Sequence, residues 1–171
     1  MSENENVTGV LEILHYPNPV LKKPSEEVKV FDDELEDFVK KLFASMRAHD
    51  GVGLAAPQVG VLKKIAVIEY DGKSYVLINP KVADQKGIQE GEEGCLSFPG
   101  IYAKFKRPLK VKIEAQDVKG NKNIYEAEGY TARAFVHEMD HLDGKVFIDY
   151  LSSFKQGAIK KKLMKNTGGH F

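Results

Sequence analysis

The stretch His137-Glu138-Met139-Asp140-His141 decides how the rest of the chain is read. On a helix, His137 and His141 stand one turn apart on a single face, so two imidazoles can grip one metal ion. Glu138 is turned by about 100° from His137, close enough to take a proton from a water at that metal. The pattern is short. A polar helix face with two surface histidines reproduces it by chance in about one chain in a hundred of this length. The neighbouring sequence has to decide between the two.

Around this segment the chain reads as α+β. Residues 130–142 form the helix that carries the histidines. Residues 32–49 form an amphipathic helix: Asp32 and Asp33 suit its start, and Leu35, Phe38, Val39, Leu42, Phe43 and Met46 recur at helical spacing. Asp50-Gly51 ends it. Ile65–Tyr70 and Ser74–Ile78 flank Asp71-Gly72, a two-residue hairpin signal. A second hairpin spans Lys119-Gly120-Asn121, between Val111–Val118 and Asn123–Glu128. Val146 to Tyr150 reads as a short strand, and Ser153 to Lys165 as a last helix with Phe154, Ile159 and Leu163 inward. The expected architecture is mostly antiparallel sheets packed around the central HExxH helix, with an N-terminal amphipathic helix and a C-terminal helix.

Composition narrows the function. The 171 residues suit one domain, with residues 1–6 and 166–171 expected to be flexible. Twenty-five basic residues balance 25 acidic ones, which argues against a DNA binder relying on overall positive charge. No apolar run is long enough for a bilayer, and Met1 to Asn6 has neither signal-peptide nor transit-peptide character. One cysteine fits a reducing, cytoplasmic setting.

A catalytic metal site needs three protein ligands and an open position. No Glu follows Glu138, and the histidine that would complete HExxHxxGxxH is replaced by Phe147. Asp143, Asp149 and His170 remain downstream; Asp143 is too near His141 in sequence, and His170 lies in the tail. The third ligand must therefore come from upstream. Cys95, the only cysteine, sits in Glu92-Glu93-Gly94-Cys95-Leu96-Ser97-Phe98-Pro99-Gly100. It reads as a buried thiol, as a thiolate ligand, or as a nucleophile, the last leaving HExxH unexplained. Gly51-Val52-Gly53-Leu54-Ala55-Ala56-Pro57-Gln58-Val59-Gly60 is the third unusual stretch. Its small residues let another backbone approach closely, although a tight turn with a surface Gln58 is the simpler reading. One thiolate and two imidazoles would suit zinc.

Together, GVGLAAPQ at 51–58, EGCLS at 93–97 and HEMDH at 137–141 resemble, in order and spacing, the three signature motifs of the peptide deformylases. The resemblance extends over nearly the whole chain, including Leu14–Leu21 and FIDYLS at 147–152. It implies a bacterial-type, cytoplasmic enzyme that removes the formyl group from the initiator methionine of nascent polypeptides and releases formate. It implies Cys95, His137 and His141 as metal ligands, with Glu138 as the acid/base group. It implies that Gln58 and the backbone N–H of Leu96 bind the formyl oxygen, and that Val52, Gly53 and Gly94 line a cleft taking the peptide as an added strand. The implied metal is Fe2+, replaceable by Zn2+, Ni2+ or Co2+.

Several residues are left with bland alternatives. Glu93 and Arg107 could support the site or form an exposed ion pair. His15 and His49 read as structural. Val52 and Phe135 are expected to help form the apolar pocket for the methionine side chain. Lysines 155, 160, 161, 162 and 165 read as a solvated face, with ribosomal RNA contact as the sharper alternative.

Overall fold

The computed structural model describes residues 9–166. His170 and the end segments 1–6 and 167–171 lie outside the described residues; Asn166 closes the last helix. In chain order the main elements are α1 (Asp33–Ala48), β1 (Gly53–Ala55), β2 (Ile65–Tyr70), β3 (Lys73–Cys95), β4 (Phe98–Gln116), β5 (Lys122–Glu128), α2 (Tyr130–Leu142) and α3 (Ser153–Asn166). The strands make one sheet in the order β1-β2-β3-β4-β5, every neighbouring pair antiparallel. The expected α+β architecture holds, with the helix bearing the histidines against the sheet.

Local chemistry explains the element ends. The Asp32 carboxylate accepts from the Leu35 N–H at 3.1 Å and caps α1. Asp71 and Gly72 have φ of 53° and 75°, the left-handed pair that lets a two-residue loop follow the strand twist. The least legible feature is the length of β3 and β4. Residues 81–88 are all exposed, so the middle of β3 shows no clear strand periodicity. They pair because the two strands are joined directly by the Leu96-Ser97 turn, with Cys95 opposite Phe98. Register shifts at 78/81, 82/84 and 94/95 interrupt this long ribbon.

Three apolar clusters hold the elements. Leu35, Val39, Leu42 and Met46 of α1 pack with Leu54, Ile65 and Val67. Ala132, Phe135 and Leu142 of α2 pack on Ile68, Leu77, Val111 and Ile113 of the sheet. Phe98, Phe105, Phe147 and Leu163 gather around the β3–β4 hairpin tip, with Phe98 and Phe147 edge to face at 4.8 Å. This last cluster supports the turn that carries Cys95.

Two sequence expectations fail. Residues Phe147–Tyr150 form a 3-10 turn rather than a strand. The Asp149 carboxylate accepts from the Val146 N–H at 2.9 Å, and consecutive Phe147 and Ile148 are both buried, which an alternating strand does not do. In α3, Leu163 is buried and Ile159 partly so, but Phe154 is 86% exposed. Phe154 lies nine residues before Leu163, about 180° around the helix, and so faces solvent.

Candidate active site

The sheet and α2 bring three donors together. Phe135 faces the sheet, which turns His137 and His141 to the other side of α2, with ring centroids 5.2 Å apart. The hairpin tip then delivers Cys95, whose Sγ lies 3.4 Å from His141 Nε2. The ligand atoms of Cys95, His137 and His141 all fall within 4.8 Å of one another. Both imidazoles are buried.

The surroundings suit a cation. His137 Nδ1 donates to Glu93 Oε1 at 2.9 Å, which leaves its Nε2 lone pair for the site. Burial works against charge on both rings. Against that burial, hydrogen bonds to Cys95 and Glu93 and the nearby Cys95 and Glu138 raise His137 well above the usual histidine value. His141 is lowered well below that value by burial and by His137, so its imidazole is neutral and able to donate. His141 Nδ1 and Glu138 Oε1 are buried without a hydrogen-bond partner among the described residues. The Glu138 oxygen, beside the donor cluster, calls for a further group there, whereas His141 Nδ1 lies on the ring edge away from Cys95.

Glu138 is 5% exposed, and burial pushes its carboxyl up to about 7. Its other oxygen presses on β1: a Cβ at Gly53 would stand 2.5 Å from Oε2. Only a glycine leaves room for the carboxylate at this strand. Gln58 is not a surface residue; it is 1% exposed on the 3-10 turn Ala56–Val59. Its Oε1 accepts from the Ala55 N–H at 2.9 Å, which turns its Nε2 toward the site. That nitrogen lies 3.1 Å from Ser97 Oγ and 3.6 Å from Cys95 Sγ.

Glu93 and Arg107 form a buried pair rather than an exposed one. Arg107 donates to both Glu93 oxygens at 2.7 and 2.9 Å and to Asp140 Oδ2 at 2.8 Å. The Tyr150 hydroxyl donates to the same Asp140 oxygen at 2.8 Å. Burial alone would raise the Glu93 pKa, but Arg107 and His137 overcome it and hold the carboxylate down to about 2. An ionised Glu93 fixes the orientation of His137.

Gln58, Glu93, Cys95 and His137 line one cleft of about 600 Å³. Val52, Gly53, Gly94, Leu96, Tyr130, Arg133 and Ala134 line it together with Glu138. His15 and His49 also line it, beyond the structural roles their sequence context suggested. Phe135 does not: it is buried against Tyr75 at 5.0 Å, two residues and about 200° from His137. Ser97, Asp140 and Arg133 were given no role by the sequence reading. Arg133 carries the one available signal, its spacing four residues before His137.

One thiol and two imidazoles beside a buried carboxyl, set in an open cleft of an α+β fold, are the constellation of a mononuclear metallohydrolase. Comparison with known proteins narrows the class. The profile of the family described as polypeptide deformylase matches residues 10–157. Peptide deformylase 1 of Bacillus cereus is 45% identical over 148 residues, covering 85% of this chain and 95% of that protein. Peptide deformylase 1B, chloroplastic, of Oryza sativa is 42% identical over 171 residues, covering 92% of this chain and 64% of that protein. The crystal structure of a peptide deformylase from Legionella pneumophila superposes with a TM-score of 0.89 at 38% identity, covering 92% and 95% of the two chains. That from Ehrlichia chaffeensis in complex with actinonin gives 0.88 at 40%, covering 92% and 97%. The chain belongs to the polypeptide deformylase family.

Proposed function

We propose that the cleft hydrolyses the formyl amide of N-formylmethionyl nascent polypeptides, with Cys95, His137 and His141 holding Fe2+. The observation that carries this reading is the cluster of these three donors beside a cleft that Cys95, His137, the carboxyl of Glu138 and the amide of Gln58 line. Zn2+, Ni2+ or Co2+ would fit the same donors. When bound, the ion supplies Lewis acidity that brings the ionisation of a water toward neutral pH.

The chain's own residues do the rest. Glu138 takes the proton of the attacking water and returns it to the methionine nitrogen as the C–N bond breaks. A carboxyl titrating near 7 suits both transfers. The Gln58 amide and the Leu96 N–H donate to the formyl oxygen as it gains negative charge. Ala55 and Ser97 hold Gln58 in place beforehand, so little reorganisation is needed. Val52, Gly53 and Gly94 flank the peptide, which pairs as an added strand along β1, the terminal strand of the sheet. The products are formate and a free amino terminus.

We place this activity in the cytoplasm. No helix among the described residues is long and apolar enough to cross a membrane. The five lysines of α3 are exposed, which supports transient contact with ribosomal RNA near emerging chains. The decisive experiment is anaerobic purification with metal analysis beside a formate-release assay on a formyl-methionyl peptide. Release of amino acids without formate would overturn the reading.

A further inference from the structure

One turn before the histidines, α2 places a second set of residues on the cleft wall. Arg133 and Ala134 precede His137 by four and three positions, and Tyr130 by seven, so all share its face and line the same cleft. On the deformylase reading, a peptide whose formyl group lies at the donor trio would bring its first side chain toward this wall, which lines the same cleft.

Arg133 is 6% exposed. An arginine so buried normally has a full complement of partners. Here Nη1 donates to Gly91 O at 2.8 Å and to Glu93 Oε2 at 3.2 Å, and Nη2 donates to Gln89 Oε1 at 3.1 Å. These bonds use three of the five guanidinium N–H groups. Among the described residues its one carboxylate partner, Glu93, is shared with Arg107, which holds both oxygens at shorter distances. Arg107 also has Asp140. Two guanidiniums therefore lean on one Glu93, and the charge on Arg133 is the less compensated.

Gly91 makes this placement feasible. A Cβ there would lie 2.5 Å from Arg133 Nη2 and 2.9 Å from Cζ. The backbone of Gly91 is not in the left-handed region, so glycine is required there for space alone. The glycine and the arginine fit each other and give this wall a cationic end where the sequence reading expected an apolar pocket.

Filling such a pocket with an all-carbon side chain covers the guanidinium and offers nothing in exchange. A neutral oxygen at the end of a methionine-length side chain would accept a charge-assisted hydrogen bond. A carboxylate would suffer repulsion from Glu92 and Glu93, which line the same cleft. We infer that Arg133 sets the chemistry of the first-residue pocket, and that the enzyme accepts chains beginning with formyl-methionine sulfoxide as well as formyl-methionine. This inference rests on the deformylase reading.

The test compares kcat/KM for three matched tripeptides beginning with formyl-methionine sulfoxide, formyl-methionine and formyl-norleucine, with formate as readout. The wild-type enzyme should favour the sulfoxide over norleucine by about tenfold or more, the usual worth of a hydrogen bond to a charged group. R133M should lower that ratio about tenfold, and R133K should fall between, because lysine keeps the charge without the fork. G91A should reproduce the R133M ratio, since its methyl displaces the guanidinium, and it keeps the test decisive if R133M does not fold. Ratios within one preparation are independent of the active fraction. Formate release with ratios unchanged within threefold in G91A, or a wild-type preference for norleucine, would overturn this inference alone. No formate from any of the three would overturn the deformylase reading and this inference with it.

Discussion

Gly53→Ala is a small change with a large expected effect. The Gly53 backbone lies outside the left-handed region, so alanine adds no strain there. Its methyl would stand 2.5 Å from Glu138 Oε2 and 2.9 Å from both Cδ and Cγ. Ordinary carbon contacts lie near 3.5–4.0 Å, so the carboxyl must retreat by about 1 Å. Glu138 is 5% exposed and cannot swing into solvent. A displacement of that size at a proton-transfer group costs about 10²-fold in rate, equivalent to about 2.7 kcal/mol in the barrier. Overpacking should cost about 1–3 kcal/mol of stability. The three atoms nearest the methyl all belong to Glu138 and none to Cys95, His137 or His141, so metal content should be preserved. The assay is kcat on a formyl-methionyl peptide beside metal analysis and a denaturant midpoint. A kcat within threefold of wild type would show that Glu138 does not need the position that Gly53 permits.

Other substitutions separate the remaining roles. Glu138→Gln should retain metal and lose nearly all turnover; activity within tenfold of wild type would remove Glu138 as the base. Cys95→Ala should leave two imidazoles that hold metal poorly, and full metal content after dialysis would exclude Cys95 from the ligand set. Gln58→Ala should lower kcat by about 10²–10³ with little change in KM, because its amide serves an oxygen charged mainly in the transition state; the opposite pattern would make Gln58 a substrate-binding residue. Glu93→Gln should destabilise by about 3–5 kcal/mol in urea unfolding, since it strips a buried carboxylate from Arg107 and Arg133. It should also weaken metal binding about 10–100-fold through His137. A metal affinity unchanged by Glu93→Gln would mean that His137 is oriented by packing alone.

Much of this protein was written in short-range patterns. The α1 helix, the Asp71-Gly72 hairpin and the helix carrying HExxH follow from apolar spacing and turn chemistry, which act over a few residues. A helix fixes the relation of His137 to His141, while Cys95 joins them as a ligand only through what the resemblance of the three motifs implies. What the sequence could not decide depends on which surfaces meet. Residues 81–88 carry no strand periodicity because all are exposed; pairing with β4 across the Leu96-Ser97 turn makes them a strand. Phe154 and Phe135 are both apolar, but one faces solvent and the other the sheet, as set by what lies opposite each helix face. Glu93 and Arg107 read equally as supports of the site or as an exposed ion pair; burial against His137 decides for the first. Arg133 had the spacing of a cleft residue, but only the tertiary contact with Gly91, 42 positions away, shows why a glycine stands there and where that guanidinium is held.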